Sequence, residues 1–181
     1  ISVSAFLLNR SSDLRLELSN LNRQILLSES DVGLSKVEAV KRELLKRNSE
    51  LDIMTFNHKV DESNIDTLIK GYDLVVDAVD NWKSKLVIAS SCNKFKIPYL
   101  HSGVDGYKGQ YCLFKSKSLL DVVDSSVINS PKDGVLGPMV GLISSLASIL
   151  AIKYLLEEKV ELDTLFYFDY LSSRFIKSKI K

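Results

Sequence analysis

The chain has 181 residues, 45% of them apolar, which suits a single domain with a sizeable buried core. Its 24 basic and 23 acidic side chains leave a formal charge of only +1, without the basic excess expected of a nucleic-acid-binding surface. Two cysteines, Cys92 and Cys112, are too few for a tetrahedral thiolate zinc site and lack disulfide-framework spacing, which points to a reducing cytoplasm. The opening residues carry no signal-peptide pattern, and a start at Ile1 rather than Met suggests that sequence precedes it. The longest apolar run, Pro138 to Ile152, covers about fifteen residues against the roughly 20 that span a bilayer. Ser144, Ser145 and Ser148 interrupt it, so we expect a buried helix in a soluble protein and no membrane contact.

The elements follow from pattern and punctuation. Ser2 to Leu8 reads as the tail of a helix, and Leu14 to Leu18 alternates with the period of a strand. Ser35 is positioned as an N-cap, with Glu38 as its capping-box partner, for a helix from Lys36 to about Asn48. Val37, Val40, Leu44 and Leu45 form its apolar stripe, while Lys41, Arg42, Lys46 and Arg47 alternate with Glu38 and Glu43 on a solvated face. A strand over Leu51 to Phe56 and a short helix over Asn64 to Lys70 come next. Asp73 to Asp80 is a β-branched run suited to a buried parallel strand. Lys83 to Phe95 reads as helix, then Ile97 to Ser102 and Gln110 to Phe114 as strands. Lys115 to Asp133 has little periodicity and reads as a long crossover. Gly137 to Glu158 is the long apolar helix, and Thr164 to Tyr170 with Arg174 to Lys179 form a terminal antiparallel pair. This alternation implies an α/β fold: a Rossmann-like, mostly parallel sheet with helices on both faces, in one domain over 1–181.

Ligands of open parallel sheets bind at the carboxyl ends of strands. Two polar clusters fall there: Leu18-Ser19-Asn20-Leu21-Asn22-Arg23-Gln24, and Asp77-Ala78-Val79-Asp80-Asn81. Between them Lys36 opens a helix whose N-terminal dipole already favours an anion. Cations, helix N–H groups and a terminal carboxylate together describe a nucleotide triphosphate site with magnesium. Singly, each residue has a plainer reading: Arg23 on the surface, Lys36 as an ordinary first-turn lysine, Asp80 as a helix cap, and Asp77 satisfied by backbone donors. His58 and His101 read as structural, and Cys92 and Cys112 as core.

These two clusters resemble segments of the ThiF/MoeB/HesA family, the bacterial branch of the ubiquitin-activating-type adenylating enzymes. So do Val-Gly-Leu-Ser-Lys at 32–36, Gly-Tyr-Lys-Gly-Gln at 106–110 and Gly-Val-Leu-Gly-Pro at 134–138. The resemblance runs in order from about Ser19 to the C-terminus. It implies that Asn20, Arg23, Gln24, Lys36 and Asn81 meet ATP, that Asp80 holds Mg2+, and that Arg23, Lys36 and Asp80 are catalytic. The implied reaction is adenylation of the C-terminal glycine carboxylate of a ubiquitin-like sulfur-carrier protein, as in thiamin or molybdopterin synthesis, by a homodimer. A tRNA-base dehydratase of the same family and a non-catalytic partner-binding member are the alternatives.

The chain departs from the family pattern in three places. No Gly-x-Gly-x-x-Gly loop occurs, so the sequence is expected to begin after the first strand and its glycine loop. The acidic pair that holds the ribose is missing, with only Glu17 as a remnant. The paired Cys-x-x-Cys elements are absent, so no structural zinc is expected, and Ser130 lies near the usual position of a functional cysteine.

Overall fold

The computed structural model describes residues 4–9, 15–124, 128 and 134–181, and the chain divides into two compact units, Ile1–Asp61 and Glu62–Lys181. In the first unit, strand β1 (Ser4–Asn9) pairs in parallel with β2 (Asp52–Lys59). The segment expected to be a helix tail is thus a strand. A short apolar run has no periodicity that separates the two, and here the parallel ladder decides. The expected strand over Leu14 to Leu18 is also corrected. From Arg15 onward its alternation is real, with Leu16 buried between exposed Arg15 and Glu17, but it forms only an isolated bridge between Arg15 and Ser35. Leu18–Asn20 then turns into a 3-10 helix, capped reciprocally by Glu17 and Asn20.

Helix α1 (Lys36–Arg47) starts at the expected place with Ser35 as N-cap, yet the expected capping box does not form. The Ser35 hydroxyl makes no cap bond, and Glu38 instead accepts a hydrogen bond from the Thr55 hydroxyl on β2 at 2.5 Å. Arg42 is drawn off the solvated face to the Asp31 carboxylate, also at 2.5 Å. That hydrogen bond, with the Ser28 backbone N–H, holds the Asp31 pKa down at about 2. Leu16, Leu27 and Ala39 form this unit's small core.

The second unit opens with helix α2 (Ile65–Ile69), strand β3 (Val75–Val76) and helix α3 (Trp82–Phe95). It continues with β4 (Tyr99–Asp105), β5 (Lys108–Phe114), helix α4 (Gly137–Leu155), β6 (Thr164–Asp169) and β7 (Arg174–Lys179). Its five strands run β3-β4-β5-β6-β7 in space. The β3–β4 pair is parallel, as expected, but antiparallel pairing extends over all of β4–β7 rather than only the terminal pair. The cause is local. Gly106, at φ 52, and Tyr107 join β4 to β5 as a hairpin, which leaves no room for the crossover that parallel strands require. The eight-residue strand expected over Asp73 to Asp80 shrinks to two residues, because the Asp77 carboxylate captures the Val79 N–H at 2.9 Å and bends the chain.

Helix α4 packs Met139, Ile143, Ala147, Leu150 and Ala151 against Leu100, Tyr111 and Leu113 on one face of the sheet. Tyr111 and Phe166 stack there at 4.9 Å. On the opposite face, α3 lies against Tyr99 and His101. The long helix is not buried all round: Leu142, Ile149, Ile152 and Leu155 are exposed along its other side. Its 19 residues and mean hydropathy of 1.6 would allow it to cross a bilayer by length and composition, and the stripe packed on the sheet buries 28% of that stretch. The expected crossover after β5 begins with a bend at Lys115–Lys117, whose backbone N–H groups and the Ser116 hydroxyl all donate to the Asp163 carboxylate. The rest of that crossover includes residues 125–127 and 129–133, among them Ser130, which lie outside the described residues.

The contact between α4 and the sheet depends on Gly109. A Cβ at that position would fall 2.3 Å from Cγ1 of the buried, β-branched Ile143, so the helix rests directly on the β5 backbone. Gly109→Ala is expected to lower stability by about 1–3 kcal/mol through overpacking, read as a lower urea midpoint at unchanged slope. Combining it with Ile143→Val, which removes a methyl group from the same side chain, should recover part of that loss.

Candidate functional site

The sequence-derived residues fall into two groups, one in each unit. In the first unit Asn20, Arg23 and Gln24 share a single turn, since the Arg23 and Gln24 N–H groups both donate to the Asn20 carbonyl at 3.2 and 3.1 Å. Asn20 is buried, and its Oδ1 accepts the Glu17 N–H at 3.3 Å. Glu17 is therefore a cap of this turn and not a residue on the surface of a strand. The Arg23 guanidinium donates to the Ser19 carbonyl at 3.2 Å and to Asn22 Oδ1 at 2.7 Å, both in solvent-exposed bonds. The Gln24 Oε1 is buried and has no hydrogen-bond partner among the described residues. Lys36 occupies the first position of α1 and is only 7% exposed, a cation held at the positive end of a helix dipole.

In the second unit Asp80 is exposed just beyond the carboxyl end of β3. The cap of α3 is Asn81 and not Asp80: its Oδ1 accepts the Ser84 N–H at 2.8 Å. That leaves the Asp80 carboxylate outside the cap. No group of three or more His, Cys, Asp or Glu side chains gathers among the described residues. A single carboxylate nevertheless fits Mg2+, which keeps several waters and commonly binds through one or two carboxylates plus phosphates brought by a nucleotide.

Behind Asp80 lies a polar cluster that the sequence reading passed over. Asp77 is fully buried, and its Oδ2 receives three donors: Lys85 Nζ at 2.5 Å, the Tyr99 hydroxyl at 2.8 Å and His101 Nδ1 at 3.2 Å. Lys85 also donates to the Ser102 carbonyl at 2.8 Å. Gln110 Nε2 lies 3.2 Å from His101 Nε2, so the amide donates to an unprotonated ring nitrogen and the imidazole proton sits on Nδ1, facing Asp77. Burial pushes the His101 pKa down and keeps the ring neutral. Burial pushes Asp77 the other way, but His101 and Lys85 outweigh it, and the carboxyl stays ionised below its usual range. Asp77 was expected to be satisfied by backbone donors; three of its four donors are side chains. The available signal was period-2: Tyr99 and His101 alternate on one face of a strand whose other face is apolar.

The two cysteines are core, as expected: both are buried, and desolvation raises each thiol to about 12, which removes them as nucleophiles at neutral pH.

Residues 15–181 match the ThiF family. The chain is 30% identical over 155 residues to a probable molybdopterin-synthase adenylyltransferase of Porphyra purpurea, covering 80% of this chain and 40% of that protein. It is 30% identical over 143 residues to the molybdopterin-synthase adenylyltransferase of Haemophilus influenzae, covering 75% of this chain and 59% of that protein. Among solved structures it resembles E. coli MccB with selenomethionine MccA, at a TM-score of 0.80 and 21% identity over 97% of this chain and 56% of that one. It thus spans about half the length of the relatives it matches. With nearly all of its described residues inside that match, the chain belongs to the ThiF family.

Proposed function

We propose that the protein containing this chain adenylates the C-terminal glycine carboxylate of a ubiquitin-like sulfur-carrier protein, of the kind that serves molybdopterin or thiamin synthesis. The observation that carries this reading is the 30% identity to proteins named molybdopterin-synthase adenylyltransferases. The geometry supplies suitable parts. Arg23 and Lys36 provide cations for phosphate oxygens, and the exposed bonds of Arg23 to neutral oxygens can yield to bonds with an anionic acceptor. An orphaned Gln24 amide end, turned by half a rotation where needed, meets either a hydroxyl or a phosphate oxygen. Asn20 shapes the turn that carries both, and Asn81 fixes the start of α3 beside Asp80.

In the reaction a carboxylate oxygen of the carrier attacks the α-phosphorus of ATP. The bond from that phosphorus to the bridging oxygen breaks, and pyrophosphate leaves with the electron pair. Asp80 would hold Mg2+, which when bound would supply charge neutralisation on the phosphates. Arg23 and Lys36 orient the triphosphate for in-line displacement, and the step needs no protein nucleophile. The inert thiols of Cys92 and Cys112 accord with this, and their reduced state accords with a cytoplasmic protein.

The uncovered side of α4 supports a homodimer. Leu142, Ile149, Ile152 and Leu155 are exposed beside the small residues Gly141, Ser145 and Ser148, a stripe that permits close approach of a second helix.

ATP–pyrophosphate exchange with the full-length protein is expected to depend on a carrier protein with a C-terminal glycine. Exchange that needs tRNA instead, or none with any carrier, would overturn the reading. Asp80→Asn is expected to reduce exchange by ~100-fold or more at millimolar magnesium without changing the circular dichroism spectrum. Undiminished exchange would remove Asp80 as the metal ligand. Sedimentation should show a dimer that Ile149→Asp converts to monomer, and a wild-type monomer at every concentration would refute the pairing.

A further inference from the structure

We propose that Gln110, His101 and Lys85 act with Asp77 as a positioning relay that locks the β3–α3 turn and so sets how tightly Asp80 holds a divalent cation. The part concerning the cation rests on the role given to Asp80 above; the relay itself does not.

The turn from Asp77 to Asn81 is pinned at both ends. At its start, Asp77 N–H donates to the Leu100 carbonyl at 2.9 Å, the Ser102 hydroxyl donates to the Asp77 carbonyl at 3.1 Å, and Asp77 Oδ1 accepts the Val79 N–H. At its end, Asn81 caps α3, and the Lys85 N–H donates to the Asn81 carbonyl at 3.2 Å. The Lys85 side chain then returns from the first turns of α3 to Asp77 and closes the loop. Asp80 is exposed in the middle of this closed ring.

The orientation of the ring depends on a proton. Asp77 Oδ2 tolerates His101 Nδ1 at 3.2 Å only while that nitrogen carries the hydrogen. Gln110 enforces this by donating to Nε2 from across the hairpin. Without that amide the buried Nε2 lone pair loses its donor, and the ring loses the contact that fixes its tilt against Asp77. Trp82, the first residue of α3, stacks on the same imidazole at a centroid distance of 6.1 Å, so a displaced ring also presses on the start of that helix. A core built only for stability has less need of such an arrangement, because apolar side chains of similar volume commonly replace buried ion pairs at no loss. What the ion pair adds is a single conformation for the turn. The Gly106–Gln110 segment thereby acts on Asp80 through His101 and Asp77.

The test compares wild type with Gln110→Leu, which opens the relay at its most accessible member. A second variant, the neutral pair Asp77→Asn with Lys85→Met, keeps the volume without leaving a lone buried charge. Amide hydrogen exchange at Val79, Asp80 and Asn81 in the ligand-free full-length protein is read beside the thermal midpoint and the magnesium dependence of ATP–pyrophosphate exchange. In Gln110→Leu these three amides should exchange at least about tenfold faster, while the strand amides of β6 and β7 stay unchanged. Half-saturation by magnesium should rise by a similar factor with the maximal rate nearly preserved. Unchanged protection of 79–81 in both Gln110→Leu and the neutral pair would overturn the relay. Faster amide exchange without a change in magnesium dependence would keep the locked turn and overturn its effect on the cation, while Asp80→Asn separately decides whether Asp80 is the ligand.

Discussion

A carboxylate removed entirely from water must find its hydrogen bonds inside the protein, and Asp77 organises the second unit around that requirement. An unpaired ionised group there would cost several kcal/mol, so its partners are not optional. Supplying them brings Lys85 back from α3, aligns Tyr99 and His101 on one face of β4, and ends β3 after two residues. The carboxylate thus sets three elements at once, and the exposed turn at 78–80 is the part left over when its demands are met.

The two faces of the same strands follow different rules. Towards α4 the contact is dry and tight: Leu100, Tyr111 and Leu113 meet Ile143 and Ala147, and Gly109 brings the helix onto bare backbone. Towards α3 it is mixed: Ile88, Ala89 and Cys92 are buried there too, but Asp77, Lys85, Tyr99 and His101 meet through hydrogen bonds. A dry face supplies area and therefore stability. A polar face supplies direction, since hydrogen bonds are lost within a few tenths of an ångström where apolar contacts tolerate sliding. The loop that carries Asp80 emerges on the side built for direction.

Much of this architecture was legible in the sequence. The starts of α1 and α3, the β6–β7 pair and the parallel β3–β4 pairing follow from periodicity and punctuation. What was not legible depended on partners distant in sequence. Ser4–Asn9 becomes a strand because Asp52–Lys59 offers it a ladder. Arg15–Glu17 alternates like a strand but finds only a single bridge. Glu38 leaves its capping box for Thr55, a residue 17 positions away. The motif residues could be named one by one, yet the cluster behind Asp80 joins residues from 77 to 110, and no local pattern announces that His101 faces Asp77. The exposed flank of α4 was hidden for a related reason: its composition is apolar all round, and only packing reveals which side the protein covers.

The contrast between the two groups of candidate residues also has a chemical logic. Asn20 and Arg23 satisfy themselves within their own turn, through bonds of about 2.7 to 3.3 Å that are largely exposed. The Arg23 bonds end on neutral acceptors in contact with water, which competes for the same donors, so an anionic acceptor could replace them at little cost. Such a turn keeps its shape without a ligand and rearranges only its side-chain tips. Asp80 has the opposite support, a turn fixed from behind by buried charge, where movement is expensive. In the reading proposed above, the first unit would contribute yielding cations and the second a rigid carboxylate, each suited to its own task.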